Sequence, residues 1–255
     1  MDLSVICPVY NNVETMLPML ASFQLQDIGE YSVEYLFICN GCTDNSEEVL
    51  TQLVKLFPAT FKNYKIVHAD KGDVGIARQI GVNISTGNYI LFCDMDDWLL
   101  SKTMFRELLE IAYSHPDGTF QFGIDLPKKD YFFTENNQIK YATYWRLKNK
   151  MTCTVWRYLF PRRVFDTVSF PANKNGEDDV VITGALQELV ESGKEKLYII
   201  HKDYYFWNYL DPHSQSYKVM ITKNLISKEE FLSQLNDIDP ATRPTDLNEV
   251  IMNLL

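Results

Sequence analysis

The chain has 255 residues, 46% of them hydrophobic, with 15 Tyr and 15 Phe, which suffices for one large α/β domain or two small ones without covalent staples. With 34 acidic against 24 basic residues the net charge is −10, which argues against a nucleic-acid binder, since those present a basic face, and against a polybasic membrane anchor. The five cysteines are sparse and odd in number, as expected in a reducing cytosol, and no apolar run approaches the ~20 residues of a membrane span.

The chain opens directly into a strand pattern, with no charged leader and apolar core of a signal sequence. SVICPVY (4–10) is a short apolar run and reads as a buried strand. Val13, Met16, Leu17, Leu20 and Phe23 recur at helical spacing, with Asn11 or Asn12 as N-cap and Pro18 tolerable only near the first turns. EYLFIC (34–39) is a second strand. It runs into NGCTDNS, where the C-x-x-C pair Cys39/Cys42 suggests redox or zinc chemistry and the Gly/Asp/Thr/Ser content suggests a ligand-facing turn. Asp44 and Glu47 fit a capping box before the stripe Val49, Leu50, Leu53, Val54. NYKIVHA (63–69) is a third strand, VGIARQIGVNIS (74–85) a short helix, NYILFCD (88–94) a fourth strand, and Ser101 caps a helix running to about His115. TFQFGI (119–124) is a fifth strand.

Strand and helix thus alternate from residue 4 to 124, the pattern of a mostly parallel sheet with helices on both faces. Ligands bind such sheets at the C-terminal strand ends, where Cys7-Pro8, Cys39-Asn40 and Cys93-Asp94 fall. Beyond 125 the alternation loosens. Residues 126–150 are polar and aromatic and suit an excursion beside the site. Apolar structure resumes at TVWRYLF (154–160), a helix follows GEDD (176–179), YIIHKDYYFWNYL (198–210) is a strand with aromatic ends, and 227–255 suit terminal helices split by Pro240 and Pro244.

Two acidic clusters carry chemistry. CDMDDWL (93–99) sets three carboxylates within four residues. Such crowding is costly unless a cation neutralises it, and Asp oxygens suit Mg2+ or Mn2+; a solvated acidic turn capping the next helix carries equal weight. NGEDDVV (175–181) places Glu177, Asp178 and Asp179 at a helix start, where carboxylates are favoured by the dipole and where one can serve as a general base. GDVGIARQIG (72–81) has neither phosphate-loop nor dinucleotide spacing; Arg78 suits a phosphate, a carboxylate or a helix surface.

Read in order, PVYNNVE, ICNGCTDNS, GDVGIARQIGVNISTGNYILFCDMDDWL, VWRYLFPRRVF, GEDD and HSQS resemble the inverting nucleotide-sugar glycosyltransferases of family 2, over roughly residues 3–216. The resemblance implies the GT-A fold: a mixed, mostly parallel Rossmann-like α/β sheet flanked by helices. Residues 1–125 would form the nucleotide-sugar half, 126–216 the acceptor and catalytic-base half, and 217–255 a helical extension. By position, Pro8, Tyr10 and Asn11 line the nucleotide pocket with Glu14 nearby. Asn40 stands where an Asp accepts the uracil N–H, and Arg78 stands beside the nucleotide. Asp94 belongs to the D-x-D-D stretch, in which Asp96 and Asp97 bind the Mn2+ or Mg2+ and the ribose. Asp178 is the base, and His213 and Ser214 lie in a loop over the diphosphate. The implied reaction moves a sugar from a UDP-sugar to a glycan or lipid-linked glycan acceptor in bacterial surface-polysaccharide synthesis, in the cytoplasm or at the inner face of the plasma membrane, with no nucleic-acid partner.

The sequence departs from the family pattern at Asn40, a neutral amide that thymine N3–H or guanine N1–H would also satisfy, at Asp73, where Gly is frequent, and at Gln79, where Asn is usual. The Q-x-x-R-W element of processive synthases is missing, which implies single additions. The competing readings are a sugar-nucleotide nucleotidyltransferase, which lacks support because PVYNN replaces the Gly-rich basic loop, and a C-x-x-C redox or zinc protein, which leaves the acidic clusters unexplained.

Overall fold

The structure, a computed structural model, describes residues 1–69, 73–125, 151–172 and 178–208. In chain order the elements are β1 (Leu3–Val9), α1 (Met16–Gln24), β2 (Val33–Asn40), α2 (Ser46–Leu56), β3 (Tyr64–Ala69), α3 (Val74–Ile84), β4 (Tyr89–Phe92), β5 (Trp98–Leu99), α4 (Met104–Ser114), β6 (Gly118–Asp125), β7 (Tyr158–Pro161), α5 (Asp178–Glu191) and β8 (Lys196–Phe206). Two 3-10 turns, Val155–Arg157 and Arg162–Asp166, flank β7.

All eight strands join one sheet in the order β3-β2-β1-β4-β7-β6-β8-β5. The first four are mutually parallel, as the alternation of strands and helices predicts. The turn to a mixed sheet comes from β7, which enters antiparallel between β4 and β6. Every residue of β2 and β4 is buried, as happens when helices cover both sheet faces. The outer strand β3 is largely exposed and β5 has two residues, so neither edge offers a long apolar template for pairing.

Several local expectations are corrected. The helix expected from residue 13 starts at Met16, with Thr15 at the N-cap, because Asn12 O first closes a turn onto the N–H groups of Thr15 and Met16. That puts Pro18 in the first turn, where its missing N–H costs nothing. The capping box before α2 does not form. Asp44 instead accepts from the Ser46 N–H (2.9 Å) in an Asx turn, and Glu47 pairs with His68 (3.0 Å) on the neighbouring strand. The cap of α4 is Thr103 rather than Ser101, whose hydroxyl accepts from the Thr103 N–H (3.3 Å).

The two departures in α3 have structural uses. Asp73 caps the helix by accepting from the Ile76 N–H (2.9 Å). Gln79 accepts from the Phe170 N–H (2.8 Å) and thereby ties the segment after the second 3-10 turn to α3. The helix also lies close over the sheet: a Cβ on Gly81 would stand 2.3 Å from Ile6 Cγ2. At the opposite end of β1, buried Glu34 accepts from Ser4 Oγ (2.6 Å) and Thr86 Oγ1 (2.9 Å), while Ser4 Oγ accepts from the Gly87 N–H (2.8 Å). Burial alone would raise the Glu34 carboxyl, but these hydrogen bonds hold it below its ordinary range.

Gly81→Ala is therefore expected to overpack the α3–β1 contact and lower stability by about 1–3 kcal/mol. Urea unfolding checks this: a lower midpoint with an unchanged slope is the expected outcome, and an unshifted midpoint would show that Ile6 yields without cost.

Candidate active site

The C-terminal ends of β1, β2 and β4 lie side by side, with Val9 opposite Cys39 and Ile6 opposite Phe92. The loops that leave these strands are laced together. Asn11 adopts a left-handed conformation (φ 53°) and turns its amide onto the β2 loop: Oδ1 accepts from the Thr43 N–H (2.8 Å) and Nδ2 donates to Thr43 Oγ1 (3.0 Å). The Asn12 N–H donates to Ser46 Oγ (2.7 Å), and Cys42 Sγ donates to the Val9 carbonyl (3.4 Å). Gly41, at φ 71°, makes the bend that brings Cys42 back to β1. Pro8 is half-buried, Tyr10 and Glu14 are exposed, and Asn40 is buried at the end of β2. Pro8 and Asn40 thus lie at the ends of adjacent parallel strands, with Tyr10, Asn11 and Glu14 just beyond the end of β1.

The thiols do not form a reactive pair. All five cysteines are free, and Cys39 and Cys42 share a side-chain hydrogen bond. Burial pushes the Cys39 thiol up to about 12 and raises Cys42, the reverse of what a redox thiolate needs. Among the described residues, no three His, Cys, Asp or Glu side chains gather into a ready-made metal cage.

The centre of the site is Arg78 on α3, expected beside the nucleotide. Its guanidinium is engaged by carboxylates from the loop after β4 and from the start of α5. Nη1 donates to Asp178 Oδ2 (2.6 Å) and to Asp179, both at the start of α5, and Nη2 donates to Asp94 Oδ1 (2.9 Å) after β4. The side chains of Arg78 and Asp178 are 4% and 2% exposed, against 27% for Asp94 and 20% for Asp179. Burial works against the guanidinium charge, and the three carboxylates outweigh it. Asp179 also accepts from the Val155 N–H; burial pushes its carboxyl up to about 7, with Asp178 and Asp94 adding to the rise and Arg78 opposing it. The approach of α3 to α5 requires Gly75, where a Cβ would stand 2.9 Å from both Asp178 Cβ and the Pro171 carbonyl.

The acidic turn is shaped from the far side of the sheet. The Asp97 N–H bonds to the Asp94 carbonyl (3.2 Å), closing the turn. Asp96 is half-buried at its rim. Asp97, 1% exposed, accepts from Tyr205 Oη (2.8 Å) and the Asn208 N–H (2.8 Å). Burial, then the Asp96 and Asp94 charges, push the Asp97 carboxyl well above the carboxylate range, although both hydrogen bonds pull the other way. A group of carboxylates in mutual conflict fits a divalent cation in charge and donor type, and a Mg2+ or Mn2+ that takes one or two protein carboxylates plus phosphate oxygens needs no complete protein cage.

The structure thus joins Arg78, Asp94 and Asp178 directly and sets Asp96 and Asp97 beside them. Pro8, Tyr10, Asn11, Glu14 and Asn40 stand on the adjoining strand ends. His213 and Ser214 lie outside the described residues. Sequence reasoning named Asp179 within its acidic cluster without giving it a separate role, and left out Tyr205 and Asn208. The doubled Asp in GEDD and the aromatic run YYFWNYL were the visible signals, but neither says which residue reaches the acidic turn.

The sequence profile of glycosyl transferase family 2 matches residues 4–168. Glycosyltransferase GlyA of Streptococcus pneumoniae is 25% identical over 221 residues, which is 80% of this chain and 30% of that protein. The poly(ribitol-phosphate) beta-glucosyltransferase of Bacillus spizizenii is 29% identical over 108 residues, 42% of this chain and 16% of that protein. This chain therefore spans less than a third of the length of either relative. Among solved structures, S. aureus TarS 1-349 in complex with UDP-GlcNAc superposes with a TM-score of 0.64 at 18% identity, covering 93% of this chain and 65% of that one. The mannosyltransferase PcManGT from Pyrobaculum calidifontis, in complex with GDP-Man and Mn2+, gives 0.66 at 13% identity, covering 98% and 68%. At these identities the structural likeness carries the fold, which is GT-A, as expected. The profile covers well over half of the sequence, and this chain belongs to glycosyl transferase family 2.

Proposed function

We propose that the chain transfers a sugar from a nucleotide diphosphate sugar, UDP-linked by first choice, to an acceptor hydroxyl with inversion, in a divalent-cation-dependent reaction of bacterial surface-glycan synthesis. One observation carries this reading: Arg78 binds Asp94 on the donor side and Asp178 and Asp179 on the acceptor side within hydrogen-bond distance. The acidic turn and the carboxylates able to take a proton thus meet on one guanidinium beside the C-terminal strand ends, where α/β sheets bind ligands. The poly(ribitol-phosphate) acceptor in the name of one relative and the UDP-GlcNAc, GDP-Man and Mn2+ of the structural neighbours support the choice of substrate class and metal.

In this reading Pro8, Tyr10, Asn11 and Glu14 border the base and ribose. Asn40 accepts the base N–H through its amide oxygen, which suits uracil without rejecting guanine. Asp96 and Asp97 are the carboxylates that would hold Mn2+ or Mg2+. Such a cation neutralises the charge on the departing diphosphate. Asp94 stays on Arg78 and fixes the start of the turn. His213 and Ser214 complete the diphosphate side. Asp178 takes the acceptor proton, with Arg78 fixing the orientation of its carboxylate. Attack from the face opposite the leaving group then inverts the anomeric centre, and no covalent enzyme intermediate is required.

One observation favours a second assignment of the base. Asp179 is more open than Asp178, and its carboxyl is pushed up to about 7, where a base is half ionised at neutral pH. Single substitutions separate the two. Asp178→Asn is expected to cut transfer by about 10²-fold or more while nucleotide binding persists. Near-normal transfer in that variant, with collapse in Asp179→Asn and loss of a rate rise through pH of about 7, would move the role to Asp179.

Arg78→Lys is expected to leave at least one buried carboxylate without its partner, at a cost of about 3–5 kcal/mol; thermal unfolding measures it, and a wild-type melting temperature would mean that the network contributes no net stability. A panel of UDP-, GDP- and dTDP-sugars, screened for Mn2+-dependent thermal stabilisation, tests the donor class. Stabilisation by UDP-sugars above the others is the expected result, and preference for a GDP-sugar would reassign Asn40 to guanine.

A further inference from the structure

We infer that Tyr205 is the positioning residue that sets the Asp94–Asp97 turn for the donor diphosphate and its cation, acting from β8 at the far side of the sheet. This rests on the donor reading given above and assigns a role to a residue outside the acidic motif.

The hydroxyl of Tyr205 makes two contacts, both with that turn. It accepts from the Asp94 N–H (3.0 Å) and donates to Asp97 Oδ2 (2.8 Å). One oxygen thus spans the first and last residues of Asp94–Asp97. Three residues further along, the Asn208 N–H takes the other Asp97 oxygen (2.8 Å). The Tyr205 ring is fully buried and stacks on Trp156 (centroids 5.0 Å apart, planes 18° apart). It has no alternative place to go.

The placement of the hydroxyl depends on an irregularity in β8. Up to Ile200 the strand pairs regularly with β6, with Phe122 opposite Ile200. Then Gly123 faces Asp203 and Ile124 faces Tyr205, so extra β8 residues are accommodated in two register shifts. Bulges of this kind re-aim side chains. Only a residue without Cβ fits opposite: a Cβ on Gly123 would lie 2.3 Å from Asp203 Oδ1 and 2.7 Å from the Lys202 carbonyl. Past the shifts, Tyr204 donates to Glu107 on α4 and Tyr205 meets the acidic turn. The next pair of residues is clamped as well, since Trp98, the residue after Asp97, stacks on Phe206 (4.0 Å, 11°).

Trp156 extends the block toward the acceptor side. Its neighbour Val155 gives its N–H to Asp179, and Trp156 also packs on Trp207 (5.5 Å). The hydroxyl of Tyr205 therefore serves the donor turn, while its ring buttresses the backbone that holds one of the acceptor-side carboxylates.

Tyr205→Phe deletes the hydroxyl and keeps the ring. Titration calorimetry of the intact chain with UDP and with GDP, each with and without Mn2+, reads the effect, alongside thermal unfolding. The expected result is about a tenfold loss of nucleotide affinity in Mn2+ and a smaller gain on adding Mn2+ than in the wild type, with unfolding still cooperative. A purely structural role would lower the melting temperature and leave the Mn2+ enhancement unchanged. That outcome, or wild-type affinity, overturns the inference. Asn208→Pro removes the other donor to Asp97; a loss in the same direction with cooperative unfolding is expected, and, if Tyr205→Phe does not fold, unchanged affinity and Mn2+ enhancement in Asn208→Pro overturn the inference that the clamp on Asp97 sets the turn. If the wild type binds neither nucleotide in Mn2+, the donor reading itself fails and this inference falls with it; the wild-type measurement distinguishes the two failures.

Discussion

The site depends on one buried cation. Arg78 gathers carboxylates from the end of β4 and the start of α5, positions that are 16, 100 and 101 residues away in the chain. Three acids and one guanidinium do not balance, and desolvation makes any uncompensated charge costly. Burial, with the neighbouring carboxylates adding to it, pushes Asp179 up to about 7 and raises Asp97 in the neighbouring acidic turn well above the carboxylate range. In the proposed reading a divalent cation would answer these carboxylates and the donor diphosphate would supply its remaining oxygen ligands.

Arginine suits this role for reasons of shape. Its planar fork presents separate N–H groups in fixed directions, so Nη1 can face α5 while Nη2 faces β4. The backbone has been cleared to allow it. Gly75 lets α3 reach α5, and Gly81 lets the same helix settle on β1. Asp73 and Gln79, which differ from the family pattern, cap the helix and bind the 167–172 segment to it. Both departures help fix the orientation of the helix that presents Arg78.

Much of this was legible in the sequence because it is local. Apolar runs of four to eight residues gave five of the strands, and alternation with amphipathic stretches gave the parallel half of the sheet. The order of the acidic motifs gave the family, and Arg78, Asp94 and Asp178, which the structure joins, were all named among the candidate residues. What was not legible is non-local. β5 is two residues long and exists only because β8 pairs with it. β7 reads as a generic apolar run, and its antiparallel insertion is set by partners on both sides. The capping box failed because His68, on a neighbouring strand, competes for Glu47. That Arg78 meets carboxylates of α5 is likewise non-local, because the sequence does not show that α5 returns to α3.

The loop after β2 illustrates how tertiary context overrides a loud local signal. Its C-x-x-C spacing invites redox chemistry, yet burial raises both thiols, and Cys42 is spent on the Val9 carbonyl. Asn11 accepts an unusual backbone conformation in order to hold Thr43. The effect is to fix the loop that follows Asn40 against the end of β1 and the loop that carries Tyr10. A neutral amide at Asn40 loses charge assistance to the base, so in the proposed reading discrimination between nucleotides falls more heavily on the shape of this rim. Lacing the two loops together supplies that shape without adding a further charge to a site that already holds more carboxylates than it can neutralise.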